Sequence, residues 1–315
     1  MKKRIVILGP FGKVGEPIVN LLSQEKNCEI YALSKLTQEK AKHWKNYHVN
    51  LDIMDFTELR NIFAYSKPDI IINAAAYTNV DDAEVDRADC WKLNVDLVNR
   101  LVRFAKIYNS HLIHFSSDYI FDGEKGPYLE TSRPNPINFY GKSKLASENQ
   151  IKLAKIKSTI IRTNLLFGHT SLAKPTFISN LIDSFKHNQK VKVAESLFSN
   201  PIITNDIAAG VLRVILLEAY GIYNFSGPNY MSRLGVAQAV ADVFGFNRSL
   251  IIPCSLSEIE FQARRPIYAG LLNQKAAKEL GMQFQNITDS LREYKSIMEL
   301  NQTVRNIANI KHFHN

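Results

Sequence analysis

Gly9-Pro-Phe-Gly12-Lys-Val-Gly15, set directly after the apolar run Arg4-Ile-Val-Ile-Leu8, constrains the fold of this chain more than any other stretch. A short run that is apolar throughout suits a central parallel strand buried on both faces, and glycine ends it. Val19, Leu21 and Leu22 then carry a helical apolar face. Glycines between a strand and a helix permit a tight turn, close approach of backbone to a pyrophosphate, and helix-start N–H groups facing the anion. The chain therefore opens either as a dinucleotide-binding unit or as a glycine-rich turn without a ligand. In the first case Gly9, Phe11, Gly12, Lys13, Val14 and Gly15 form the cofactor turn.

The strand-helix alternation continues. Apolar runs at 29–33, at 69–73 after Pro68, at 111–115 and at 159–162 read as strands. Helical periodicity over 56–65, 85–107 and 140–156 lies between them. This order implies an α/β fold, a Rossmann-type doubly wound parallel sheet with right-handed crossovers. Beyond Phe167 the pattern breaks up around Pro175, Pro201, Pro228 and Pro253, which suggests a smaller C-terminal substrate-binding lobe. The expected division is 1–165 with a return segment at about 202–226 for the dinucleotide-binding domain, about 166–201 and 227–300 for the lobe, and 301–315 as a C-terminal tail.

Cys28, Cys90 and Cys254 are too far apart for a disulfide framework or a close metal-ligand pair, and they read as structural. The eight histidines show no metal or nucleophile pattern, so no metal is expected. No apolar run approaches the roughly 20 residues that span a bilayer, and no secretory signal follows Met-Lys-Lys-Arg. A cytoplasmic protein without membrane contact is the expectation. The 39 Lys+Arg exceed the 30 Asp+Glu but are scattered along the chain, which suits a phosphorylated small molecule or plain solvated surface rather than nucleic acid.

Tyr140-Gly-Lys-Ser-Lys144 places a phenol and an ammonium four residues apart in a predicted helix, hence on one face. The other Tyr-x-x-x-Lys, at Tyr31 and Lys35, straddles a strand end, where that spacing separates the groups by roughly 13 Å. Only the later pair can act together. A neighbouring ammonium favours phenolate and should lower the Tyr140 pKa, and Ser117, at the carboxyl edge of its strand, can orient a carbonyl. The pattern describes hydride transfer to or from a carbonyl with a nicotinamide cofactor. Where an acidic residue would hold the ribose of NAD, this chain has Ser34 and Lys35, with Lys40 and Lys42 beyond. A 2′-phosphate suits these lysines, so NADPH is preferred, with NADH still admissible; ordinary surface lysines are the alternative. Asp52 and Ile53 either contact adenine or form a turn.

The strings Pro68-Asp-Ile-Ile-Ile-Asn-Ala-Ala-Ala-Tyr-Thr-Asn-Val-Asp-Asp-Ala-Glu84 and Ser116-Ser-Asp-Tyr-Ile-Phe-Asp-Gly123 resemble the dTDP-4-dehydrorhamnose reductases. Pro127-Tyr-Leu-Glu130, Pro136 to Lys144, Ile161-Arg-Thr163 and Ala263-Arg-Arg-Pro266 continue the likeness over most of the chain. The resemblance implies an extended short-chain dehydrogenase in which Ser117, Tyr140 and Lys144 are the catalytic triad. It also implies that Gly9, Gly12 and Gly15 line the cofactor site with Ala74, Ala75, Ala76, Tyr140 and Lys144. Asp118, Tyr119 and Phe121 are then candidate substrate contacts, and Arg162, Arg264 and Arg265 candidate anion ligands, although Arg162 can equally pair with a carboxylate. The implied substrate is a nucleotide-diphosphate sugar with a 4-keto group, in deoxysugar and polysaccharide biosynthesis, and a homodimer is left open. Two stretches depart from the family, Asn164-Leu-Leu-Phe167 and Ser199-Asn-Pro-Ile-Ile-Thr204, as does Ala269, and these should choose the sugar. The rival readings are a non-catalytic nucleotide-binding subunit like that of methionine adenosyltransferase, and a sugar-nucleotide epimerase or dehydratase. The latter is disfavoured by Ser116-Ser-Asp118, which lacks the Asp-Glu pair of many dehydratases.

Overall fold

In β1, Lys3–Leu8, successive side chains point to opposite sides, and both sides are dry. Ile5 and Ile7 join Ile30, Ile70, Ile72 and Ile113 under α1, Gly15–Leu22, and the helix Thr204–Leu216. Val6 and Leu8 join Leu33, Ile71, Leu112 and Ile160 on the other side, under α2, Phe56–Ser66, and the helix Leu97–Tyr108. Each such aliphatic side chain contributes about 1.5–3 kcal/mol when fully buried. Covering both faces thus fixes a three-layer arrangement. The computed structural model describes residues 2–36, 44 and 47–312. Lys40 and Lys42, and the His312 and His314 side chains, lie outside what is described.

The sheet has seven strands in the order Gly221–Phe225, β6 (Ser158–Thr163), β5 (His111–Ser117), β4 (Ile70–Asn73), β1, β2 (Cys28–Ser34) and β3 (His48–Asn50). Every pairing in it is parallel. The chain winds outward from β1 through β2 to β3, then crosses back to β4 and winds the other way. The crevice at this reversal, outside the carboxyl ends of β1 and β4, is where such sheets hold ligands. A separate apolar cluster, with Phe167, Ile178, Leu181, Phe185, Val236, Val240 and Leu291, forms beyond the sheet. The short parallel pair Val191–Ala194 and Ile251–Cys254 lies in the same part of the chain.

Two expectations differ from the structure. The single helix over 85–107 is broken: Asp82–Val85 and Arg87–Trp91 are separated by Asp86 at φ −91°, ψ 52°, and a π-helical turn, Lys92–Asp96, precedes Leu97–Tyr108. The π turn is tied to distant residues. Asn94, inside the π turn, accepts from Tyr77 N at 2.8 Å and donates to Tyr77 O at 3.1 Å and Ser143 Oγ at 2.9 Å. Helical periodicity carries no trace of these bonds. At the other end, the stretch expected as a tail from 301 continues the helix Ile287–His312.

Candidate active site

Gly9 ends β1 with φ +73°, a left-handed conformation that glycine adopts without strain, and a Cβ there would lie 2.7 Å from Ala75 N. A Cβ on Gly15 would overlap Gly9 O. The turn can therefore be tight only with glycine at both places. Ala74 N donates to Leu8 O at 3.0 Å, which holds the Ala74–Ala76 stretch beside the turn. The N-cap of α1 is Val14, without a side-chain cap, and Glu16 in its first turn is turned away to Ser171 N and Oγ at 2.9–3.0 Å. The first N–H groups of the helix thus keep their positive end for an anion. Lys13, half-buried in the turn, is lowered from its ordinary pKa by burial, with Glu16 opposing. These residues fit a dinucleotide pyrophosphate.

On the ribose side, Ser34 Oγ meets His48 Nε2 at 2.8 Å, and Phe11 lies edge-on to the His48 ring at 5.8 Å. Lys35 Nζ is 2.7 Å from Asp52 Oδ2. Burial raises the Asp52 carboxyl, but hydrogen bonds from Lys35 and Met54 N prevail and hold it below its ordinary range. Ile53 packs against the sheet cluster.

Ser117 closes β5, and Tyr140 and Lys144 rise from the helix Phe139–Ala154, which Asn138 caps by accepting from Gly141 N at 2.8 Å. Asn138 also donates to Arg264 O at 2.9 Å, while the Arg264 side chain is exposed. All three candidate catalytic residues are buried. Ser117, Tyr140, Asp118 and Tyr119 line one cavity of about 170 Å³ with Asn164, Phe198, Ser199, Arg233 and Ala269. The Tyr119 and Tyr140 rings meet edge to face at 5.8 Å.

The electrostatics differ from the sequence expectation. Burial drives the Tyr140 phenol above its ordinary value, with the Ser117 hydroxyl opposing, and Asp118 adds to the rise. Desolvation outweighs any pull of Lys144 towards phenolate. Lys144 is pushed down to about 8 by burial, against the opposing charge of Glu148. No protein acceptor bonds its Nζ among the described residues, so its donors are free for a ribose. Asp118 is pushed up to about 6 by burial, opposed by hydrogen bonds from Ser117 Oγ at 3.2 Å and Gly270 N at 3.3 Å.

Two candidate substrate contacts lie elsewhere. Arg162 is 1% exposed and forms a bidentate pair with Glu148, at 2.9 and 2.8 Å, while donating to Glu130 O at 3.0 Å. Its charge is spent inside the protein. Phe121 is fully buried, stacked on Tyr128 at 4.1 Å. Arg265 stays near the site: Nη2 pairs with Asp81, which also accepts from Ala263 N at 2.9 Å, and Nη1 is without a partner. Sequence reasoning missed Arg233 altogether. Asn164 and Ser199 lay in the two stretches that depart from the family, the only signal they carried; the buried Asn164 amide and Ser199 Oγ have no hydrogen-bond partner.

A family model, the RmlD substrate binding domain, matches residues 2–299. The chain belongs to this family. Among its relatives, the dTDP-4-dehydrorhamnose reductase of Aggregatibacter actinomycetemcomitans is 30% identical, over 92% of this chain and 99% of that one. A solved dTDP-4-dehydrorhamnose reductase of Bacillus anthracis, in complex with NADP, superposes with a TM-score of 0.82 at 26% identity, covering 93% of this chain and 99% of that one. The methionine adenosyltransferase 2 subunit beta of Danio rerio is 27% identical over 85% of this chain and 82% of its own length. Among the described residues no helix is long and apolar enough to cross a membrane, and no group of three or more metal-ligating side chains appears.

Proposed function

We propose that this protein is an NADPH-dependent reductase of a nucleotide-linked 4-keto-6-deoxysugar, acting in deoxysugar and polysaccharide biosynthesis. The observation that carries the reading is that Ser117, at the carboxyl end of β5, and Tyr140 line one cavity, with Lys144 buried one helical turn beyond Tyr140. The family and the reductase names of its relatives agree with it.

NADPH would supply a hydride from its nicotinamide ring. Gly9, Phe11, Gly12, Lys13, Val14 and Gly15 would seat its pyrophosphate, with Ala74, Ala75 and Ala76 as the small wall opposite. Ser117 polarises the substrate carbonyl by donating a hydrogen bond, and Tyr140 protonates the oxygen as charge develops there. A phenol raised by burial is fully protonated at neutral pH, which suits an acid in the reductive direction. Lys144 holds the ribose and places a positive charge next to the phenolate that remains. Asp118 and Tyr119 border the sugar, and Arg265 attends the diphosphate. The division of the chain follows: 1–165 with 202–226 for the cofactor, 166–201 with 227–300 for the sugar. Gly221–Phe225 completing the sheet and the separate cluster around Leu181 support it. A homodimer in the cytoplasm belongs to the same reading, to be checked by native mass spectrometry and cell fractionation.

The test is NADPH oxidation with dTDP-, CDP- and GDP-linked 4-keto sugars beside the free keto sugar. Turnover confined to nucleotide sugars is expected. Equal kcat/KM for the free sugar overturns the nucleotide-sugar reading. Oxidation with none of them transfers the weight to a non-catalytic subunit like the methionine adenosyltransferase relative, a reading that the complete triad opposes.

Lys35 tests the cofactor assignment. Its ion pair with Asp52 is solvent-exposed and contributes only about 0–1 kcal/mol, so it does not withhold the ammonium from a 2′-phosphate. Lys35→Asp should lower the NADPH:NADH affinity ratio by about tenfold or more, the worth of one charge-assisted hydrogen bond. Titration calorimetry giving the same ratio for variant and parent would remove Lys35 from the site.

A further inference from the structure

The guanidinium of Arg233 carries a charge that the fold leaves unanswered. Arg162 has Glu148, Arg265 has Asp81 and Arg248 has Asp242, but Arg233 has no ion pair among the described residues. It is the first residue of the helix Arg233–Phe244 and reaches the cavity that holds Ser117 and Tyr140. The Phe177 ring, 4.7 Å from Cζ, covers one face of the guanidinium. A ring face accepts no in-plane N–H, and Nη1 is sealed from solvent with no hydrogen-bond partner. A donor on a charged group, shut away from water and unpaired, is costly to keep.

The surrounding charge sharpens the point. Burial lowers the Arg233 pKa; Tyr119 and Asp118 oppose, and Arg265 adds to the fall by repulsion. Asp118 supplies an opposing charge from across the cavity, but no ion pair or hydrogen bond joins its carboxylate to Arg233 among the described residues. Arg233 and Arg265 are thus two like charges close enough to repel, each with an Nη1 that bonds nothing. An anionic ligand lying between them would answer the Arg233 charge and both free Nη1 donors, and guanidinium forks match phosphate oxygens. The cavity itself, about 170 Å³ and flanked by the neutral Asn164 and Ser199, is of a size for a sugar ring rather than a nucleotide. The anion would therefore sit at its rim.

We infer that Arg233 is a substrate-specificity residue: it binds the diphosphate of the nucleotide sugar jointly with Arg265, and Asn164 and Ser199 face the hydroxyls of the ring. This rests on the nucleotide-sugar reading above. The assignment explains why an arginine is built into a wall that is otherwise neutral or apolar on that side, next to Leu197 and Phe198.

The experiment compares wild type, Arg233→Met and Arg233→Lys, each loaded with NADP, in two assays. Calorimetric titration with free nucleoside diphosphates and the matching monophosphates reads the phosphate contact without any turnover. Steady-state kinetics with a turned-over keto sugar nucleotide reads KM for each substrate. Arg233→Met should weaken diphosphate binding and raise the nucleotide-sugar KM by about 10- to 100-fold, the range for a charged hydrogen bond, with KM for NADPH within about twofold. Arg233→Lys should recover part of the loss, because it keeps the charge but not the fork. Unchanged diphosphate affinity and unchanged KM in Arg233→Met overturn the inference while leaving the reductase intact. An equal loss for diphosphate and monophosphate confines the contact to the α-phosphate or the nucleoside and overturns the joint clamp on the diphosphate. Should Arg233→Met fail to bind NADP, Arg233→Lys decides alone: a partial loss of diphosphate affinity with NADPH affinity unchanged supports the contact, wild-type affinity for the diphosphate overturns it, and a loss as large for NADPH marks a structural arginine. Wild type that binds nucleoside diphosphates through Arg233 but reduces no keto sugar removes the reductase reading and leaves this one standing.

Discussion

Tyr140→Phe should lower kcat by about 10²–10⁴-fold, the usual contribution of a positioned acid-base group, while folding and NADPH affinity stay near those of the parent. The ring is buried and packs edge to face on Tyr119, and phenylalanine keeps that packing. Only the proton is removed. Kinetics and melting curves on the same preparation separate the two effects, and an active Tyr140→Phe enzyme sinks the mechanism. The pH profile adds a second constraint. Burial holds the phenol protonated well past neutrality, whereas Lys144 is pushed down to about 8. The reductive kcat/KM should therefore decline as pH rises through about 8, when the ammonium beside the nascent phenolate is lost. Lys144→Arg, which stays charged, should move that decline upward; a limb that does not move belongs to another group.

The features that can be read from the sequence are those whose geometry is local. The Gly9–Gly15 turn needs glycine because backbone meets backbone there, a demand written into consecutive positions. The all-apolar strands follow from a sheet covered on both faces. Tyr140 and Lys144 share a face because the helix repeat puts them there. What stayed hidden depends on chain segments far apart. Within 85–107, the π turn carries Asn94, which reaches Tyr77 and Ser143. Asp81 and Arg265 each sit in a string that resembles the family, yet only the fold shows that the two strings are joined through them. Arg233 is an ordinary helix-start arginine until Ser117, Asn164 and Ser199 arrive around it from three other elements.

Arg162→Met should destabilise the fold by about 3–5 kcal/mol, the penalty for leaving a buried ion without its partner. Glu148 is fully buried, and Arg162 holds both of its oxygens. Lys152, 3.5 Å away and partly exposed, is too loosely placed to replace the bidentate contact. Burial alone would raise the Glu148 carboxyl, but Arg162 more than reverses this, so its folded-state pKa lies below its ordinary value. A depressed carboxylate contributes stability that is present above the unfolded pKa of about 4.3 and is lost as pH falls through the folded value. Removing the guanidinium leaves burial in command, so the carboxyl should rise. The sign then inverts: Arg162→Met should lose stability as pH increases through the raised value, where the parent gains it on leaving the acid range. Urea unfolding at several pH values checks both slopes. Adding Glu148→Leu to Arg162→Met should restore much of the loss, since a buried pair replaced by apolar groups is often near neutral. A double variant no better than the single would mean that Glu148 matters for something other than its pair. The candidate is Lys144, one helical turn away, whose charge Glu148 supports; in that case the double variant should shift the alkaline limb of activity to lower pH.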